Sequence, residues 1–167
     1  MSEDISTRFD RLPATDAERT VEERATREEV VGWFEDRFGI DPDVFEEHSF
    51  WERGAGKIWA FHGDLESPVD IEGLGMTVLR TRQEHWKPTL EAVQRFGHHA
   101  TKNTIHLSRE QATQFMAGED QEFDWDGDWG YLIVTHDLAG GPEPLGVGLY
   151  TYDELKSTVP KGRRREL

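Results

Sequence analysis

The chain has 167 residues, 34 Asp+Glu against 19 Lys+Arg, no Cys and a formal net charge of -15. At about 100–200 residues per domain, this length holds one domain or two small ones, each able to bury a core. Without Cys there are no disulfides, thiolate metal sites or cysteine nucleophiles. No apolar run approaches the ~18 residues of a membrane-spanning helix, and the start MSEDISTRFD has no signal-peptide hydrophobic stretch, so a soluble, cytoplasmic protein is expected.

Residues 1–26 are polar and charged, contain Pro13 and carry few apolar side chains, which predicts a mobile acidic tail. Thr26 and Glu29 form a capping box, and Val30, Val31, Phe34 and Phe38 follow at helical spacing until Gly39. Asp41-Pro42 opens a short second helix through Phe45. The period then changes. Aromatic-rich Ser49–Arg53 and Lys57–Phe61 flank Gly54-Ala55-Gly56 as a hairpin, and Ile71 with Met76–Leu79 gives another strand region. Pro88 is expected to start a helix with Leu90, Val93 and Phe96 inward, ending at Gly97.

Asn103–Leu107 alternates like a strand, and Ser108 with Gln111 makes a second capping box ahead of Ala112, Phe115 and Met116. Residues 119–130 are acidic and irregular; Tyr131–Thr135 and Leu145–Tyr150 are strands about a Gly/Pro loop at 139–144. This order lacks β-α-β alternation, which disfavours a doubly wound parallel sheet. The expected class is mixed α+β, in two small lobes meeting near residue 100.

Most catalytic chemistry finds no support. Taking Glu122 as position 1 of a calcium loop puts Gly127 at position 6, but Ile133 falls where a bidentate Glu is required. His98 and His99 are adjacent, an arrangement that should splay their rings, and no His stands four residues from another. No Gly-x-Ser-x-Gly elbow occurs. Gly146-Val147-Gly148 and Gly73-Leu74-Gly75 are incomplete as nucleotide loops and read better as places of bending or close backbone packing. No catalytic residue, metal ligand or cofactor is assigned.

The charge is uneven. Lys156, Lys161, Arg163, Arg164 and Arg165 face one acid, Glu166, so the last twelve residues carry +4 and the first 155 carry -19, together -15. Only five of the 19 basic residues are Lys. An acidic excess spread along the chain and poor in Lys resembles proteins of a salt-saturated, halophilic cytoplasm.

Ser108–Asp120, Gly130–Thr135, Pro144–Tyr150, Leu155-Lys156-Ser157 and Pro160-Lys161-Gly162-Arg163-Arg164 follow in an order that resembles the PUA RNA-binding module. The similarity is greatest to the version in Sun-family RNA cytosine-5 methyltransferases and in small two-domain ribosome-biogenesis factors ending in a PUA domain. Upstream, Arg37–Ile40, Phe50–Gly54, Lys57-Ile58-Trp59, Lys87–Leu90, Arg95-Phe96-Gly97 and Ala100–Asn103 resemble the pre-PUA segment of archaeal-type members. The resemblance implies a pre-PUA α+β domain at 27–100 and a PUA-like β pseudo-barrel at 101–167.

It also implies an RNA partner, rRNA or tRNA, in ribosome biogenesis or RNA modification, with an RNA methyltransferase or a ribosomal protein as a further partner and no membrane. The methyltransferase domain and its Cys are missing, so the expectation is a non-enzymatic protein. Leu149 stands where some relatives carry a Lys. The candidate RNA-binding residues are Lys156, Lys161, Arg163, Arg164 and Arg165, with Lys87 and Lys102 in addition. Two alternatives stay open: the basic run solvates the terminus or docks on the acidic loop at 119–128, or the acidic surface makes the chain a protein-interaction adaptor. Trp51, Trp59 and Trp86 are expected as core or interlobe residues rather than stacking platforms.

Overall fold

The computed structural model describes residues 8–138 and 140–159. They fall into two units that divide between Ala92 and Val93, ahead of the expected meeting point near residue 100.

The first unit corrects the expected tail over its described residues, 8–26. Arg8–Arg11 form strand β1, and Phe9 is wholly buried. One buried ring within four residues is too short a pattern to show a period, so the polar composition concealed the strand. The segment after β1 is also tied down: Arg24 Nε donates to Glu52 Oε1 at 2.7 Å, and Arg19 donates to Glu29 at 2.9 Å. Helix α1 (Arg27–Phe38) starts at the Thr26–Glu29 capping box, stops at left-handed Gly39, and buries Val30, Phe34 and Phe38. A 3-10 turn at Pro42–Phe45 follows.

The strands are β2 (His48–Glu52), β3 (Lys57–His62), β4 (Val69–Asp70), β5 (Met76–Arg80) and β6 (Lys87–Pro88). They form an antiparallel sheet of order β4-β1-β2-β3-β5-β6. Phe9, Trp51 and Leu74 are buried together against half-buried Trp59, Phe61, Val69 and Ile71. Pro88 does not begin a helix; it pairs with Leu79 in β6. Helix α2 (Leu90–Phe96) starts two residues later, where the Thr89 hydroxyl accepts the Ala92 amide at 3.0 Å.

In the second unit the chain leaves α2 through a 3-10 turn at Gly97–His99. Then come β7 (Thr104–His106), α3 (Arg109–Met116), β8 (Gln121–Glu122), β9 (Gly130–Leu138), β10 (Gly141–Thr151) and β11 (Glu154–Ser157). The sheet order is β7-β9-β10-β11-β8, with β7 parallel to β9 and the other pairs antiparallel. α3 opens with the Ser108–Gln111 capping box and presents Ala112 and Phe115 to a core of Ile105, Leu107, Leu132, Val134, Tyr150 and Leu155.

The hairpin between β9 and β10 is longer than expected. Gly141–Pro144 pair with Thr135–Leu138, and the ladder absorbs the prolines beside a register shift between Pro144 and Gly146. Gly148 is a packing glycine: a Cβ there would lie 2.6 Å from Leu155 Cδ1 and 3.1 Å from Val134 Cγ2. The fold is mixed α+β with two sheets and few helices, and the second unit fits a β pseudo-barrel.

The acidic loop is anchored rather than loose. Tyr150 Oη donates to the Phe123 carbonyl at 2.6 Å and accepts from the Trp125 amide at 3.3 Å. Trp125 Nε1 donates to the Asp128 carbonyl at 3.1 Å. Tyr150→Phe keeps the ring but strands a carbonyl and an amide. It should lower the stability of this unit by about 1–2 kcal/mol, read by urea denaturation. An unchanged midpoint would show that water replaces the hydroxyl there.

Candidate nucleic-acid interface

Residues paired directly across an antiparallel ladder share one face of the sheet. In the second unit Leu132, Val134, Tyr150 and Leu155 point to the core. Tyr131, Leu149 and Lys156 make a row across β9, β10 and β11 on the opposite face. Lys156 stands half-buried at the β11 end of that row.

Beside it lies an aromatic surface. Trp129 is 53% and Tyr152 78% exposed, with ring centroids 4.7 Å apart. Tyr152 and Asp153 form the two-residue turn between β10 and β11 with φ of 52° and 63°. Such a turn needs positive φ at both positions and is usually filled by Asn or Gly. Here a large ring occupies a left-handed position and is held out in solvent. Aromatic side chains presented this way can stack nucleic-acid bases. Asp124, Asp126, Asp128 and Asp153 are exposed in the same stretches, so the surface is aromatic with an acidic rim.

Lys102 is exposed just ahead of β7. β7 and β11 are separated by β9 and β10, a span of about 14 Å at ~4.8 Å per strand. Lys102 and Lys156 therefore sit towards different sides of the sheet. Lys161, Arg163, Arg164 and Arg165 lie outside the described residues. Lys87 belongs to β6 of the first unit, where it pairs with Arg80, and Arg80 pairs with Lys57. Lys57 and Arg80 were not visible as candidates in the sequence, because register alone brings them beside Lys87. The Trp129–Tyr152 pair was missed for a similar reason, being contributed from two ends of a hairpin.

Other ionisable groups are shifted by local causes. Burial lowers the Arg27 pKa, and a hydrogen bond to Glu29 raises that of Arg19. Burial, then the charge of His98, lowers the His99 pKa. The His98 and His99 rings are not splayed; their centroids are 4.1 Å apart, where the chain has left α-helical geometry. Trp51 is fully buried, and Trp59 packs against the same cluster. Among the described residues no group of three or more His, Asp or Glu could hold a metal ion, and no helix is long and apolar enough to cross a membrane.

Comparison with known families places a class on the second unit. Residues 102–165 match the family model of the methyltransferase RsmF PUA domain, so this part of the chain is similar to a PUA domain linked to a methyltransferase. Residues 1–75 match a family of unknown function, DUF7122. No curated protein matches the chain.

Proposed function

We propose that the chain is a non-catalytic RNA-binding protein of rRNA or tRNA, serving ribosome biogenesis or RNA modification, with its C-terminal unit as the RNA-contacting module. The observation that carries this reading is the match of residues 102–165 to a PUA domain. In this reading Lys156, Lys102 and the run Lys161, Arg163, Arg164 and Arg165 contact phosphates, while Tyr152 and Trp129 stack on unpaired bases. The acidic surface is compatible with this role in a high-salt cytoplasm, because the Debye length falls to about 3 Å at 1 M salt.

Titration with tRNA and rRNA fragments, at low and at multimolar KCl, should give binding that weakens as salt rises. No binding at any salt would overturn the reading. Tyr152→Ala should weaken binding about 5- to 150-fold, the range expected for losing one stacked base at about 1–3 kcal/mol. Unchanged affinity after Lys161, Arg163, Arg164 and Arg165 are all replaced by Ala would remove that run from the site.

A second reading, a protein-interaction adaptor for a ribosomal protein or an RNA methyltransferase, is favoured by the exposed carboxylates of the anchored loop, Asp124, Asp126 and Asp128. A pull-down of such a partner that survives nuclease treatment would support it.

A further inference from the structure

The first unit holds a concentration of positive charge of its own. The register of three neighbouring strands puts Lys57 of β3 opposite Arg80 of β5, and Arg80 opposite Lys87 of β6. Directly opposed residues have Cβ atoms about 4.5–5.5 Å apart, so three cations stand in one row on one face. The adjacent row, Ile58, Leu79 and Pro88, is buried on the other face. Like charges placed directly opposite one another destabilise a sheet. Among the described residues the row of Lys57, Arg80 and Lys87 has no acidic partner within ion-pair distance.

Two further cations extend it. Arg53 and Arg82, with Lys57 and Arg80, line a groove of about 630 Å³ around the β2–β3 turn. Among the described residues none that lines the groove is acidic, although acids outnumber bases 34 to 19 in the chain. Gly56 lets Arg82 pack directly against the turn. Its φ is 73°, and a Cβ would lie 2.2 Å from Arg82 Cγ and 2.9 Å from the Arg82 amide nitrogen. The Thr81 amide donates to the Gly56 carbonyl at 2.8 Å, so the chain after β5 lies directly on the turn. Arg53 is held in place by the Glu72 carbonyl at 2.7 Å and by the faces of Phe9 and Trp59, each 4.7 Å from its guanidinium carbon. Arg82 is oriented by Glu23. These contacts position the flanking arginines and leave Lys57, Arg80 and Lys87 for a ligand.

We propose that Lys57, Arg80 and Lys87, flanked by Arg53 and Arg82, bind the phosphate backbone of an RNA strand, a contact site distinct from the C-terminal unit. This rests on the RNA-binding reading above. Two strand spacings make the row about 10 Å long, which suits a chain of phosphates better than a single one. Arginine forks onto phosphate oxygens, and lysine adds a compact point charge. Phosphate contacts fix position and carry no sequence information, so this site contributes affinity rather than choice of sequence.

The test titrates the full chain with tRNA and with oligouridylate over a range of KCl, comparing the wild type with Lys57→Gln/Arg80→Gln/Lys87→Gln. The slope of log K against log[KCl] should become shallower by about 2, at ~0.7 per single-strand phosphate contact, and the affinity ratio between the two RNAs should stay the same. Relieved of like-charge repulsion, the triple variant should melt no lower than the wild type at low salt. If it fails to fold, Arg80→Gln alone should lower the slope by about 0.7. An unaltered slope with wild-type RNA binding intact overturns this inference alone. Absence of RNA binding by the wild type at every salt overturns the RNA-binding reading and this inference with it.

Discussion

Phe115→Ala is expected to lower the stability of the C-terminal unit by about 3–5 kcal/mol, the usual cost of emptying a buried phenylalanine site. Phe115 has no exposed surface and lies in one core with Ile105, Leu107, Leu132, Val134, Tyr150 and Leu155. Its carbonyl also accepts a hydrogen bond from Ser157 Oγ at 2.7 Å, which ties α3 to the end of β11. The cavity would open between the helix and the sheet, among the residues of that core. The unit spans residues 93–167, and at about 0.05–0.15 kcal/mol per residue its whole stability is on the order of 4–11 kcal/mol. The substitution therefore removes a large share of it. Trp125 and Trp129 lie in this unit and four Trp in the other, so of the fluorescence changes in urea the one that belongs to this unit is that at which RNA affinity is also lost. A loss below about 1 kcal/mol would mean that the helix repacks over the sheet.

Gly75→Ala is the second large effect, and it falls on the first unit. Gly75 has a φ of 65°, and an added Cβ would stand 1.9 Å from the Ala60 carbonyl oxygen and 2.8 Å from its carbon. The left-handed backbone alone costs an alanine about 1–2 kcal/mol. The overlap is with backbone, so no side chain can turn aside. β5 would have to move off β3, taking the Lys57–Arg80 pairing with it. A total loss of about 3 kcal/mol or more is expected in thermal or urea unfolding. Gly73→Ala provides the contrast: its φ is not positive and nothing lies within 4 Å of the added Cβ, so its stability should change little. Equal effects at the two positions would show that the overlap at Gly75 is relieved by a small shift of the loop.

The two helix starts at Thr26 and Ser108 were legible because a capping box is made within four residues, and both hydrogen bonds of each are formed. The β2–β3 hairpin was legible for the same reason, two aromatic runs about a glycine-rich turn. The two-residue strands β4, β6 and β8 were not, since two residues have no period and become strands only through their neighbours. Pro88 shows how local rules mislead: proline is a good first residue of a helix, yet the pairing with Leu79 claims it for the sheet.

The sequence by itself determined the α+β class, the helix caps, the resemblance to a PUA module, and the uneven charge of -19 over the first 155 residues and +4 over the last twelve. These are properties of composition and of neighbours along the chain, and they survive without knowledge of what touches what. The tertiary structure decided which cations share a surface. Lys57, Arg80 and Lys87 are spread over three segments of an acidic chain, and only the hydrogen-bonded register of β3, β5 and β6 sets them side by side. Because side chains alternate with a period of two, a one-residue slip in any of these strands would turn its cation to the buried face.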